Sequence, residues 1–550
     1  MKLFWIAFLT IVVLSIAFVM LAIWGPSQRL TVSKKTTVIE SPLRPDGLPD
    51  YSQHILNMMA ADVGPDENAA VLYWQAMWPA NLDTKEHQVA ICNALGMPIP
   101  SKAGIDDIYD DAKRELQEWV RQECFEELPD INIGLDPIET LAYDLCQRAV
   151  EAPWTEKQFP PLANWLRGNE REIDLLVAGS ARLKYFNPPP NMVDGSNDRM
   201  VEMLLPGVNM LRDASRALGT RAMWHLGEGR VDEAWNDLKA SHQLARHVAR
   251  GWTLVGYLVA SAIERATCQR TNTLLHHGNV TAEQARRVQR ELHELPPLES
   301  PLTKIDDGER FIYLERIASC SIGEIRMDDF RPIFGNHNTP SDLTARRTLD
   351  TTRIDWNEVA RQGNQWFDRI IRAGKLARRQ RNQALEQIEN DLNQSARVVR
   401  ARDLMRVKSR TQLMADTSAD YFARGHTRTF EVVDRNETVT NMTRIVAALA
   451  VYRADRGHYP DSLDELKPSA IANVPLDLYS EQPYQYRRTD QGYCLYSVGE
   501  NEVDDGGTNG DIFQMKRVTE SDTDGPGTYD PDADIVVLMP MPPFHVKASP

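Results

Sequence analysis

Apolar residues recur at helical spacing through most of the chain between Tyr51 and about Pro297. In "DENAAVLYWQAMW", Ala70, Tyr73 and Met77 share one helix face, and the acidic and Asn residues before them are typical of a helix start. Prolines open "PPLANWLRGNEREIDLLVAGSARL", where a first helical turn tolerates them. For a chain of 550 residues, this pattern predicts a mainly α fold with several domains, of which residues 51–299 form a helical body.

One segment of this body predicts a helical hairpin. The stretch "LRDASRALGTRAMWHLGEGRVDEAWNDLKASHQLARHVARG" contains two helical patterns separated by Gly227 and Gly229. Its small residues resemble those of tetratricopeptide-like hairpins, which stack to bury a shared face. Because no second copy follows at a fixed period, helical packing without a true repeat is the favoured interpretation.

The N-terminus predicts a membrane anchor. Residues 3–24 form an uncharged, almost wholly apolar run, long enough as a helix to cross a hydrocarbon core of roughly 30 Å. A cleavable signal peptide is the alternative, but its apolar region is usually shorter and is followed by a cleavage site of small residues. We therefore expect residues 1–24 to be an uncleaved, single-pass anchor and residues 25–50 to be a polar tether.

Charge alone does not orient this anchor. Lys2 and the amino terminus precede the apolar run, whereas Arg29, Lys34 and Lys35 follow it, so the positive-inside count is close to a tie. The net charge of −16 argues against general nucleic-acid binding. The six cysteines have neither CxxC nor metal-like spacing, and buried free thiols are favoured over one or two disulfides.

Residues 300–435 predict a long, polar and basic helical region. Between Arg372 and Arg410 there are eleven Lys or Arg against four Asp or Glu. One interpretation is a patch for an acidic partner. The favoured alternative is a solvated helix face that also offsets the acidic C-terminus of the same protein, since the aromatic residues that grip nucleic-acid bases are missing from this stretch.

The C-terminal residues 436–550 change the pattern to α+β. A helix ending at Gly457 is followed by a Tyr459-Pro460 turn and a short helix at "DSLDEL". Alternating aromatic residues predict two strands, around "PYQY" and "YCLYSV", joined by "RRTDQG" as a hairpin. An acidic, glycine-rich loop, "GENEVDDGGTNGD", then follows the second strand.

This loop has the chemistry of a calcium site. Calcium requires six to eight oxygen ligands, and short acidic side chains with carbonyls from a glycine-rich backbone supply them. The order of residues is not that of an EF-hand. Taken on its chemistry alone, such a loop is more often solvated than metal-bound.

The C-terminal pattern resembles the globular domain of the major pseudopilin of type II secretion systems, over about 70 to 80 residues. The matching residues lie at the helix end, in the first strand and before the loop: Tyr452, Asp455, Gly457, Tyr459, Pro460, Pro483, Tyr484, Tyr486, Tyr496, Ser497 and Gly499. The resemblance implies a calcium site in the loop, with Asp504, Asp505 and Asp511 as side-chain ligands. It also favours an extracytoplasmic position, where calcium is abundant.

The remainder of the chain departs from pseudopilins. "MKLFWIAFLT" lacks their processing site, and some 400 residues separate the apolar run from the C-terminal helix. The whole chain looks like membrane-anchored proteins of planctomycete-type bacteria, a resemblance that implies no activity.

The motifs favour a binding role over catalysis. The sequence contains no HExxH, no Gly-x-Ser-x-Gly and no phosphate-binding loop. We expect a scaffolding or interaction protein of the bacterial inner membrane, with a periplasmic body and an envelope or secretion-fibre partner. Two alternatives remain. An envelope hydrolase would have a polar pocket within residues 51–300, and a secretion-system accessory protein would expose an apolar stripe at Ile445 and Leu449.

Overall fold

The computed structural model describes most of the chain outside its N-terminus, several linkers and the C-terminal tail. The described ranges are 27–80, 82, 84–105, 108–123, 137–194, 200, 206–277, 280–325, 353–395, 407–423, 425–507 and 534–539, with four isolated positions before residue 27. The predicted anchor therefore lies almost wholly outside the described residues. Within the described residues, no helix has the length and apolar character needed to cross a membrane.

The described part of the chain is mainly helical, as predicted. Its α-helices are α1 (Tyr51–Ala60), α2 (Ala69–Ala76), α3 (Lys85–Leu95), α4 (Ile108–Glu123), α5 (Pro137–Glu151), α6 (Pro160–Gly168), α7 (Glu170–Ser180), α8 (Pro190–Val193), α9 (Pro206–Gly227), α10 (Val231–Ala249), α11 (Leu254–His276), α12 (Ala282–Glu294), α13 (Arg310–Ser321), α14 (Trp356–Gly374), α15 (Arg378–Ser395), α16 (Val407–Ala423) and α17 (Gly425–Arg456). A π-helical turn (Lys304–Glu309) precedes α13, and a 3₁₀ turn (Leu463–Leu466) follows α17.

The larger hydrophobic core is built around α9, α10 and α11, which pack one against the next. The predicted hairpin is confirmed: α9 ends at Gly227, α10 begins at Val231, and Gly229 between them has a φ of +76°. Helix α17 packs against α11 and α12, and the C-terminal sheet contributes to the same core. Because α17 runs continuously through the predicted boundary at 435/436, residues from both sides of it share this core.

The C-terminal sheet is antiparallel, with the strand order β1 (Gln485–Arg488), β2 (Tyr493–Ser497), β3 (Ile535–Met539). The predicted hairpin of β1 and β2 is confirmed, and Gly457 adopts a φ of +80° where α17 ends. Strand β3 was not predicted from the sequence. This strand pairs with β2 so that Ile535 lies opposite Ser497. An apolar run in a tail rich in Gly, Pro and Asp gives little local sign of the strand it pairs with.

A smaller core joins α1, the π-helical turn, α13, α14, α15 and α16. Residues 27–50, predicted to be a tether, make specific contacts there. Leu30 and Leu48 are buried in this core, and the N–H of Thr31 donates to Oδ1 of Asn357 at 2.7 Å. The side-chain amide of Asn364 donates to the carbonyl of Thr36 at 3.1 Å. These contacts fix the described part of this segment against α14.

Five of the six cysteines lie in described residues, and all five are buried thiols outside any disulfide. They are Cys92, Cys146, Cys268, Cys320 and Cys494. The prediction of buried thiols is confirmed for these positions. Cys124 lies outside the described residues.

Candidate functional site

The acidic loop begins where β2 ends, and glycines shape its described part. Gly506 and Gly507 have φ values of +73° and +67°, which favour glycine. At Gly507 a Cβ atom would also come within 2.9 Å of the Tyr496 ring. The hydroxyl of Tyr496 and the N–H of Gly506 both donate to Oδ1 of Asp504, at 3.0 and 2.8 Å. The loop therefore folds back onto β2 and holds one carboxylate in place.

A second carboxylate is that of Asp534, the residue directly before strand β3. Asp534 directly precedes Ile535, which pairs with Ser497, so the strand register places Asp534 beside the start of the acidic loop. Its Oδ2 accepts the N–H of Gly507 at 2.8 Å. Asp534 is only 1% exposed, and its buried Oδ1 has no hydrogen-bond partner among the described residues. A buried carboxylate oxygen without a partner is costly, and a bound cation would satisfy it.

The electrostatics of Asp534 favour a cation. Burial raises the pKa of this carboxyl, and the negative charges of Asp505 and Asp504 raise it further. The N–H groups of Gly507 and Asp505 oppose the shift. Three carboxylates that repel one another in this way are the kind of group that a divalent cation neutralises.

The structure thus brings together two of the three predicted ligands and adds one that was missed. Asp504 and Asp505 lie near Asp534, whereas Asp511 lies outside the described residues. In the sequence, the only feature that points to Asp534 is its position directly before an apolar run rich in β-branched residues. In the described part of the chain, the ligand atoms of these three carboxylates do not all lie within 4.8 Å of one another. Full coordination would therefore require the loop to tighten.

The loop is also tied to the basic helix α15. Nη1 of Arg378 lies 2.7 Å from Oε1 of Glu502, and the guanidinium lies 4.4 Å from the centre of the Tyr479 ring. Arg379 lies 3.8 Å from the other oxygen of Glu502. In these contacts, the basic helix offsets the acidic C-terminus of its own chain, which was the favoured interpretation of the basic region.

One trio of potential metal ligands does converge among the described residues: His242, Glu264 and Cys268. All three are buried in the larger core. Glu264 accepts from Nδ1 of His242 at 2.9 Å and from two nitrogens of Arg246 at 2.9 and 3.2 Å. Burial alone would raise the pKa of Glu264, but His242 and Arg246 outweigh it and lower that pKa to about 2.

The hydrogen-bond directions argue against a metal here. The hydroxyl of Thr271 donates to the carbonyl of Thr267, so it accepts from Nε2 of His242 at 3.1 Å. Nδ1 of His242 faces Glu264 and Nε2 faces Thr271, so both ring nitrogens already have hydrogen-bond partners and neither is left for a metal. Burial raises the pKa of the Cys268 thiol to about 12, which keeps the thiol protonated. Glu264, His242 and Arg246 therefore form a buried polar network that joins α10 to α11.

A ligand-sized pocket lies elsewhere, between α6, α7, α9 and α10. Its volume is about 290 Å³. At its base, Arg221 donates from Nε and Nη2 to both oxygens of Asp237, at 3.0 and 2.6 Å, and from Nη1 to Asp174 at 2.7 Å. Nδ1 of His225 lies 3.7 Å from Oδ2 of Asp237. Burial raises the pKa of Asp237 to about 6, although Arg221 opposes this shift.

Comparisons of the chain with protein-family models, with curated proteins and with solved structures give no match. The resemblance of the C-terminal residues to pseudopilins therefore stays a prediction. The acidic loop and the pocket are the features of the chain that bear on its function.

Proposed function

We propose that this chain is a single-pass, membrane-anchored protein of the bacterial envelope, with a scaffolding or interaction role and a C-terminal module stabilised by calcium. The observation that carries the calcium site is Asp534, a buried carboxylate beside Asp504 and Asp505 with an oxygen that lacks a partner among the described residues. In this proposal those three side chains and nearby backbone carbonyls bind calcium, and Asp511 is a further ligand.

The role of the ion would be structural. A cation between Asp534 and the loop neutralises their repulsion and links β3 to the end of β2, two segments that the backbone joins only through residues 508–533. Glu502 then stays free to pair with Arg378 and Arg379 on α15. Calcium would thus stabilise the module and the contacts through which it rests on the smaller core.

Hydrogen exchange on the full chain in detergent tests this proposal. A ligand that binds only the closed loop, present at about one hundred times its Kd, lowers the population of open states by about a hundredfold, or about 2.7 kcal/mol. We expect amide exchange in residues 493–507 to slow by up to that factor when calcium replaces a chelator. Exchange in α1, in the other core, should not change.

The variant Asp534→Asn distinguishes the effect of calcium binding from the stability of the protein without calcium. It removes the buried charge that Asp504 and Asp505 repel, so it should stabilise the protein in chelator. It should also abolish the slowing of amide exchange by calcium. Asp490→Asn, an exposed position in the β1–β2 connection, is the matched control and should behave as wild type. Equal calcium protection in wild type and in Asp534→Asn would exclude this site.

The envelope location is tested by the orientation of the C-terminus. A weak calcium site is occupied outside the cytoplasm, where calcium reaches millimolar concentration. A reporter enzyme that matures only after export should therefore be active when it is fused after Pro550. Activity only of a reporter that requires the cytoplasm would contradict the proposed location.

A hydrolase is the second candidate. It requires a polar pocket within residues 51–300, and the pocket at Asp237 and His225 lies there. Its described lining contains no hydroxyl or thiol side chain to serve as a nucleophile, and Arg221 occupies both oxygens of Asp237. These features favour ligand binding over hydrolysis. The secretion-accessory alternative expects an exposed stripe at Ile445 and Leu449, but both are fully buried in the larger core.

A further inference from the structure

We infer that residues 27–37, here called the basic segment, lie against the membrane surface and bind the headgroups of anionic phospholipids. This inference rests on the anchor of the proposed function, and it goes beyond the anchor by assigning a surface of the folded body to the lipid. Three features support it: the charge of the basic segment, its attachment to α14, and the short chain between it and the apolar run.

The chain leaves little distance between the apolar run and the body. The run ends at Trp24, and an indole ring at the end of an apolar run is typical of a membrane interface. Three residues span at most about 11 Å, so the Cα of Ser27 lies within that distance of the Cα of Trp24. Ser27 already belongs to the body, because its Oγ accepts the N–H of Ile354 at 3.1 Å. The body therefore begins within reach of the headgroups.

The basic segment is fixed along the first two turns of α14. The N–H of Thr31 donates to Asn357, and the side-chain amide of Asn364 donates to the carbonyl of Lys35 at 3.2 Å. Asn357 and Asn364 lie seven residues apart on α14, which is a rise of about 10 Å. The segment cannot leave the body without breaking these hydrogen bonds, so the surface that it forms stays next to the end of the anchor.

A tight turn within the basic segment presents two lysines. The N–H of Thr37 donates to the carbonyl of Ser33 at 2.8 Å, and the N–H of Ser33 donates to Oγ1 of Thr37 at 3.0 Å. Lys34 and Lys35 lie between them, are exposed, and form no ion pair with another described residue. With the exposed Arg29, they give the segment three cations and no carboxylate. A basic cluster directly beside a membrane-spanning helix attracts anionic headgroups.

Two carboxylates close to the basic segment are already paired with arginines. Arg29 donates to the backbone carbonyl of Asp46, and the carboxylate of Asp46 accepts from Nη2 of Arg44 at 2.6 Å. On α14, Oε2 of Glu358 accepts from Nη2 of Arg361 at 2.7 Å. Each of these two pairs is neutral as a whole, so neither cancels the charge of the two lysines.

The other charged groups nearby leave the surface positive. Asp50 and Asp355 accept backbone N–H groups at the starts of α1 and α14, where the helix dipole offsets a negative charge. Arg353, beside the Ile354 that holds Ser27, and Lys408 are exposed and form no ion pair with another described residue. They outweigh Glu40, an exposed carboxylate that likewise has no ion-pair partner among the described residues.

Hydrogen exchange on the full chain in lipid nanodiscs tests the inference. The discs contain phosphatidylcholine, either alone or with phosphatidylglycerol as about a third of the lipid, and a chelator keeps calcium out of the comparison. Both faces of a disc carry the same headgroups, so the orientation of the anchor does not affect the result. Each basic residue near an anionic surface contributes about fivefold to binding. We expect phosphatidylglycerol to slow amide exchange in residues 28–37 by about fivefold or more. Salt at 1 M, where the screening length is about 3 Å, should remove the difference.

Two double variants make the result specific. Lys34→Gln with Lys35→Gln should remove most of the effect of phosphatidylglycerol, and the fold should tolerate it because both side chains are exposed. Arg372→Gln with Lys375→Gln removes the same charge from exposed positions at the far end of α14, so it is the matched control and should keep the effect.

Alkaline extraction of the full chain from vesicles reports on the anchor separately, and we expect wild type and both variants to stay with the lipid. If the chain resists extraction but exchanges equally in the two kinds of disc, the headgroup surface is wrong and the anchor stands. An effect of phosphatidylglycerol that persists at full size in the lysine variant would also overturn the inference. Extraction of the wild-type chain would overturn the anchor and the headgroup surface together.

Discussion

Replacement of Glu264 by Gln is expected to destabilise the protein by about 3–5 kcal/mol, the cost of breaking a buried ion pair by removing one partner. Glu264 is 1% exposed and accepts hydrogen bonds from both His242 and Arg246. Gln preserves the shape, but it leaves the buried Arg246 guanidinium without its counter-charge and puts a neutral amide opposite His242. Equilibrium unfolding in urea, followed by far-ultraviolet circular dichroism, measures the loss.

The controls distinguish charge from packing. Glu283→Gln removes an exposed glutamate and should change stability by less than about 0.5 kcal/mol. The double variant Arg246→Met and Glu264→Met should be less destabilised than the sum of its single variants, because the pair is lost together. Additive losses would show that the two side chains do not act as a pair.

The acid sensitivity of the fold follows from the same carboxylate. The pKa of Glu264 falls from an ordinary 4.5 to about 2 on folding, so its contribution is complete above about pH 4.5 and is lost as the pH falls toward 2. The shift corresponds to roughly 3 kcal/mol. The stability difference between wild type and Glu264→Gln should therefore narrow by about this amount between pH 5 and pH 2. A constant difference would contradict the role given to this ionised group.

Replacement of Gly227 by Ala is expected to cost about 3 kcal/mol, the upper part of the range for overpacked sites. Gly227 ends α9 against the backbone of Trp154, where a Cβ atom would stand 2.0 Å from the carbonyl oxygen of Trp154. A backbone carbonyl cannot rotate aside as a side chain can. Thermal unfolding and urea unfolding both report this effect.

Gly229 provides the matched comparison two residues later. It has a φ of +76° but open space around its α-carbon, so its constraint is conformational and not steric. Gly229→Asn should cost less than about 1 kcal/mol, since Asn tolerates the left-handed region. Equal losses for Gly227→Ala and Gly229→Asn would mean that the turn matters and the contact with Trp154 does not.

The sequence predicted well wherever a local pattern determines structure. The α9–α10 hairpin followed from two helical periodicities separated by Gly227 and Gly229. The β1–β2 hairpin followed from aromatic alternation around a turn at Asp490 and Gly492. In both cases the partner segment is the next one along the chain, so no long-range information was needed.

Long-range partners were missed for a physical reason. Glu264 and His242 were unremarkable in sequence, because their ion-pair network depends on the packing of α10 against α11. Asp534 was missed because strand β3 finds its partner β2 across a long intervening segment. The pocket at Asp237 likewise requires four helices to converge. Such features depend on tertiary contacts that a single sequence does not display.

The most direct test of the calcium site is terbium luminescence on the full chain. Terbium occupies calcium sites and emits when a nearby aromatic ring is excited, and the hydroxyl of Tyr496 lies 3.0 Å from Oδ1 of Asp504. We predict sensitised emission that calcium displaces, that Asp534→Asn abolishes, and that Tyr496→Phe weakens while calcium protection persists. Emission that is absent, or that persists unchanged in Asp534→Asn, would contradict a cation site built on Asp504, Asp505 and Asp534.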